Sequence, residues 1–130
     1  MTKLMNQLKA WGADPDTALG RMMNDDNFYG EMLSRFESEE KLKTLKDVAR
    51  RDPKEGFRMA HDLKGTAGLL GLTPLYDAVS MVVEDLRGVG EETEKEPKKS
   101  IEEDLVEYET QRQLYCDMVN DYRRRSGETE

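Results

Sequence analysis

The chain has 130 residues, with 20 Lys plus Arg against 28 Asp plus Glu and a formal net charge of −8. Charged residues make up 37% and hydrophobic residues 36%, enough for one modest core and too little for two, so a single domain over 1–125 is expected. The acidic balance excludes a nucleic-acid binder; one cysteine, Cys116, excludes an internal disulfide, and no apolar run approaches the ~20 residues of a membrane span.

Residues 2–11 have a helical pattern, with Leu4, Met5, Leu8 and Trp11 on one side and Gly12 as the stop. Asp14-Pro15 opens a second short helix, because aspartate caps well and proline suits the first helical position. Leu19, Met22 and Met23 give that helix its apolar side. Residues 26–51 read as one long helix, with Phe28, Met32, Leu33, Phe36, Leu42, Leu45 and Val48 inward, and with Ser38 marking a bend. Asp52-Pro53 ends it and caps the next, which runs to Leu70 and closes at Gly71. Thr73-Pro74 caps a further helix ending near Arg87, with Gly88 just beyond. Residues 88–99 are charged, contain a proline and lack apolar periodicity, so a mobile loop is expected. Ser100-Ile101-Glu102-Glu103 has the form of a capping box and starts a long last helix. Ile101, Leu105, Tyr108, Tyr115, Val119 and Tyr122 face inward along it. Arg123-Arg124-Arg125 suits the negative end of that helix dipole, and residues 126–130 read as a disordered tail. Four long amphipathic helices with short connections predict an all-α antiparallel up-and-down four-helix bundle, its end covered by two short N-terminal helices.

The segment from Ala60 to Gly71 holds the one histidine of the chain, His61. Phe57, Ala60, Leu63, Ala67 and Leu70 recur at spacings of three and four and mark the inward side. His61, Lys64, Gly65 and Gly68 fall on a second stripe, toward water. Two helix-interior glycines forgo about 2 kcal/mol relative to alanine, which calls for a cause in packing or in function. Gly65 one turn beyond His61 either clears an approach for another molecule or permits close helix packing; Gly68 divides between the same two readings. A neutral imidazole is a nucleophile near neutral pH, and the Lys64 ammonium at i+3 favours a bound phosphoryl group.

The stretch His61-Asp62-Leu63-Lys64-Gly65-Thr66-Ala67-Gly68-Leu69-Leu70-Gly71 closely resembles the phosphorylation motif of histidine-containing phosphotransfer (HPt) domains, His-x-Leu-Lys-Gly-x-Ala-x-x-x-Gly. The resemblance puts His61 at the phosphoacceptor, Lys64 beside the phosphoryl group, and Gly65 where a receiver domain needs access. Residues 25–36 resemble the family's first long helix, and Leu75, Ala78, Val79, Val82 and Leu86 resemble the helix after the motif, so it covers roughly residues 13–125. Asp62 departs from the small hydroxyl residue common at that place. The resemblance implies a phosphocarrier rather than an enzyme. His61 would take a phosphoryl group from a histidine kinase, a hybrid kinase or a receiver-domain aspartate, and pass it to a response-regulator receiver aspartate. No cofactor is expected on this chain, and Mg²⁺ is expected only on the partner receiver domain.

Other readings are weaker. A bundle metal site of the Glu-x-x-His type is not present, since the segment reads Arg58-Met59-Ala60-His61. A pure binding module keeps the fold without the chemistry, yet the chain retains His61 together with Lys64 and Gly65. With no signal-peptide pattern, the expectation is a cytoplasmic, monomeric, free-standing protein rather than a piece of a chemotaxis-type kinase.

Overall fold

The structure is a computed structural model that describes residues 1–91 and 95–128, with the side chains of 127 and 128 left aside. Its described residues form seven helices and no strand: α1 (Thr2–Trp11), α2 (Pro15–Arg21), α3 (Asp26–Glu37), α4 (Glu40–Arg51), α5 (Pro53–Leu69), α6 (Thr73–Leu86) and α7 (Ile101–Glu128).

Aspartates start three of them. Asp14, Asp25 and Asp52 accept through Oδ1 from the backbone N–H groups of Thr17, Phe28 and Glu55, at 3.3, 3.0 and 3.3 Å. Pro15 and Pro53 stand just inside α2 and α5, where no intrahelical donor is lost. α6 lacks such a cap: Thr73 is its first residue rather than its cap, which is Leu72. Ser100, read as the cap of α7, donates its hydroxyl to Asp85 Oδ1 at 2.9 Å.

The expected helix over 26–51 is two. Glu39 is extended, with ψ 132°, and separates α3 from α4. The carbonyls freed at the end of α3 find partners: Ser38 donates to Ser34 O through both N–H and Oγ, and Arg123 of α7 donates to Ser34 O as well. Arg123 also pairs with the buried Glu37 carboxylate and donates to Ser38 Oγ at 2.9 Å. So Arg123 clamps the break across the bundle, a role beyond the dipole reading of the arginine run. α7 runs on through Glu128, taking in the first three residues of the stretch read as a tail; 129 and 130 lie outside the described residues. Of the 88–99 connection, residues 92–94 lie outside them too. Val89 is buried, and Lys98 N–H donates to Asp85 O at 3.1 Å.

α5 packs between α4 and α6, α6 packs on α7, and α7 returns to α3 and α4. Each pairing is antiparallel. Lys41 meets Asp62 while Ala49 meets Gly56, so α4 and α5 run opposite ways. Gly68 meets Tyr76 while Phe57 meets Arg87, and the same holds for α5 and α6. Tyr115 reaches Leu33, Tyr108 reaches Leu42 and Glu102 reaches Arg50, so α7 runs against α3 and α4. α1 and α2 close one end: Trp11 stacks on Tyr115 at 6.2 Å, and Asp14 N–H donates to Gly71 O at 2.8 Å. Gly71 has φ +74°, and a Cβ there would stand 2.4 Å from Asp14 O, so the turn after α5 requires glycine.

The core is aliphatic with three buried tyrosines, Tyr29, Tyr108 and Tyr115. Their hydroxyls donate to the carbonyls of Leu70, Leu42 and Leu33 at 2.7, 2.6 and 2.6 Å. Burial drives all three phenols well above their ordinary range, so they stay neutral donors. Met23 and Phe28, read as inward, are 89% and 45% exposed. Met23 and Asn24 both adopt left-handed backbone and turn the chain from α2 into α3, which swings Met23 outward.

Two outcomes test this packing. Gly56→Ala would put a methyl carbon 2.6 Å from Ala49 Cα, and backbone cannot give way as a flexible side chain can. Thermal or urea melting should show a loss of about 1–3 kcal/mol, despite alanine's better helix propensity. The second concerns Asp85, buried with its Oδ2 unpartnered, as is Oδ2 of Asp104. Burial first, then the Asp104 carboxyl, pushes Asp85 up to about 6. One proton shared by the two carboxyls would satisfy both oxygens. The folded protein therefore binds this proton more tightly than the unfolded chain. Its contribution is full below the unfolded value of about 3.9 and is lost as pH rises through the folded one. Urea midpoints should show Asp85→Asn losing less stability than the parent protein between about pH 5 and about pH 8.

Candidate functional site

α5 has two buried flanks and one open stripe. Met59, Ala60, Leu63 and Ala67 are buried, while His61, Gly65 and Leu69, spaced four apart, are exposed. His61 thus stands on the water-facing side near the middle of α5, as the periodicity predicts.

Gly65 lies one turn further on, and a Cβ built there would meet nothing within 4 Å. Helix packing therefore gives no reason for this glycine; the missing side chain leaves open space beside the imidazole. Gly68 is different. A Cβ there would stand 3.2 Å from the Tyr76 ring of α6. Its bare Cα seats that ring, whereas Gly65 has no such neighbour. Arg21 completes the end of α5 by donating Nη1 to the carbonyls of Gly68 and Leu69, both at 3.1 Å.

Lys64 is half-buried and holds its ammonium 5.5 Å from the centroid of the Tyr76 ring. The charge is one turn from His61 on the α6 side, partly neutralised by the ring face rather than by a carboxylate. It helps hold the Glu84 carboxyl below its usual range, though Arg87 does more.

Phe57 was expected on the inward side. It is half-buried, and its ring lies 6.2 Å from the imidazole, tilted by 34°. Residues four apart share a face, so Phe57 forms the floor beside His61. A surface cavity here is lined by Phe57, Arg58, His61, Asp62 and Arg87. Arg87 comes from the far end of α6 and places its guanidinium 5.6 Å from the centroid of the Phe57 ring. Nothing in the local sequence near His61 points to it; only the antiparallel register of α5 and α6 brings it there.

Each remaining cation near His61 has a carboxylate partner. Lys41 meets Asp62 at 3.1 Å, Arg58 meets Glu55 at 3.4 Å, and Arg87 meets Glu84 at 2.8 Å. The Asp62 hydrogen bond raises the Lys41 ammonium, and Lys41 in turn turns Asp62 toward α4. Asp62, the departure from the motif, is thereby used for helix pairing. Among the described residues no three His, Cys, Asp or Glu side chains converge as a metal-ligating group, and no helix is long and apolar enough to cross a membrane. A second cavity, lined by Ala67, Gly68, Gly71, Leu72, Thr73 and Tyr76, opens at the α5–α6 turn.

An exposed imidazole, open space one turn along, and cations on both sides make a surface able to hold a small anion while another molecule approaches. Comparison with family models gives a match to the Hpt domain over residues 31–121, from the middle of α3 to late α7, leaving α1 and α2 outside it. Searches of curated proteins and of solved structures return no significant match. The matched stretch holds α4, α5 and α6 whole, and this chain belongs to the Hpt domain family, the helical bundles of histidine phosphotransfer in phosphorelays.

Proposed function

We propose that His61 is the phosphoacceptor and that the protein is a relay between a kinase or receiver aspartate and a response-regulator receiver aspartate. The observation that carries this reading is the exposed imidazole beside the empty space at Gly65. The Nε2 lone pair attacks the phosphorus of a receiver aspartyl phosphate. The N–P bond forms as the acyl P–O bond breaks, and the aspartate carboxylate leaves with the bonding electrons. The Nδ1 proton stays on the ring or passes to water. Transfer onward is the same step in reverse on another receiver. The chain contributes the nucleophile, its orientation and a docking face; the receiver contributes its acidic pocket and Mg²⁺. Such a chain is a carrier and has no turnover of its own. Lys64, three residues along the same helix, supplies a cation for the phosphoryl group or the receiver, and Gly65 admits the receiver surface.

Incubation with a phosphorylated receiver should give acid-labile, base-stable phosphate on the parent protein. His61→Gln should give none while melting normally, because an exposed side chain adds little to packing. Phosphate that persists on a folded His61→Gln protein would overturn the assignment.

Gly65 separates stability from transfer. With helical backbone and free space, Gly65→Ala should leave stability unchanged or raise it by about 0.4–1 kcal/mol. Gly65→Gln should fold as well, yet transfer more slowly by on the order of a hundredfold, since its side chain displaces the incoming receiver. Melting curves and transfer rates on the same two variants check both halves. Normal transfer by Gly65→Gln would defeat the docking role.

A further inference from the structure

The guanidinium in the His61 cavity is already holding an anion. Arg87 donates from Nε and Nη2 to the two carboxylate oxygens of Glu84, at 3.1 and 2.8 Å. A phosphoryl group offers the same fork of two oxygens with more charge. The Arg87 and Glu84 side chains are 53% and 49% exposed, so their pair is water-screened and readily exchanged. Phe57 ties the two sides together, because its ring contacts the imidazole and also lies beneath the guanidinium. Arg87 therefore needs only side-chain rotation, with no shift of α6, to turn from Glu84 into the cavity it already lines. Arg58 lines the same cavity and meets Glu55 through one nitrogen at 3.4 Å; Arg87 differs in its two-point fork and in the Phe57 ring beneath it. Lys64 is held on the Tyr76 side by its contact with that ring.

We infer that Arg87 is a positioning residue for the phosphorylated state, and that Glu84 is its stand-in anion. When His61 carries a phosphoryl group, Arg87 exchanges the Glu84 carboxylate for the phosphoryl oxygens. The inference rests on His61 as phosphoacceptor and adds the group that steadies the product. Hydrolysis of phosphohistidine is promoted by protonation of the leaving imidazole and of the phosphoryl oxygens. A guanidinium on those oxygens disfavours both protons, so it prolongs the lifetime of the carried group. Glu84 opposes it by competing for the same guanidinium.

The test uses the full chain and phosphoramidate, a small donor that needs no partner protein. The imidazole attacks phosphorus, the donor P–N bond breaks, and ammonia leaves. Two readouts follow: the decay of phosphohistidine, and the pH titration of its ³¹P shift. Arg87→Ala should decay about tenfold faster than the parent, an effect of one charge-assisted contact. Its phosphoryl titration should move to higher pH, and Arg87→Lys should fall between. Glu84→Gln should decay no faster than the parent and titrate at lower pH. The double variant should match Arg87→Ala. Decay and titration unchanged in Arg87→Ala would overturn the exchange while leaving the His61 assignment standing. So would a Glu84→Gln protein that decays as fast as Arg87→Ala. A parent protein that takes no phosphate on His61 would remove the His61 assignment, and this inference with it.

Discussion

The close approach of α5 to its two neighbours governs the rest of the molecule. Against α4, Gly56 faces Ala49 with no room for a methyl group; against α6, Gly68 receives the Tyr76 ring. Small residues let backbones approach, and close backbones fix the rotation of a helix about its own axis more firmly than long side chains can. Once α5 is set by these two flanks, its third side must face water. That side carries His61, Gly65 and Leu69. The exposure of the imidazole is thus a result of packing elsewhere on the helix, and two glycines of the same segment serve opposite ends, Gly68 filled by a neighbour and Gly65 left empty.

Much of this was legible in the chain because its signals are local. The α5 stripe follows from spacing within a dozen residues, and the starts of α2 and α5 follow from Asp-Pro pairs. The break between α3 and α4 was not legible at full strength. The apolar positions run on through it, and a serine alone marks only a bend. What stabilises the end of α3 there is Arg123, far along the chain, supplying donors to Ser34, Glu37 and Ser38. Phe57 is legible in part: it packs against the core, as its spacing predicts, and its position four residues before His61 also sets its ring beside the imidazole. Arg87 could not be found from sequence near the motif, since its place depends on how α6 is registered against α5.

The electrostatic setting of His61 runs against the chain as a whole. A net charge of −8 repels anions, yet Lys41, Arg58, Lys64 and Arg87 surround the imidazole. Three of the four are matched with carboxylates, so the resting surface is locally near neutral. At rest the charges of Lys41, Arg58 and Arg87 are spent on Asp62, Glu55 and Glu84. The aromatic floors, Phe57 and Tyr76, hold two of those cations at fixed height without adding a competing negative charge.

Asp52 is a single-residue joint. Its N–H donates to Val48 O at the end of α4, and its carboxylate accepts from Glu55 N–H at the start of α5. With one residue serving as the last of one helix and the first of the next, fraying at either end removes a cap from the other. α4 and α5 are thereby made one cooperative unit of opening and closing. The helix that carries His61 has no inexpensive route to local melting from its amino end, and it keeps its orientation as part of a rigid hairpin.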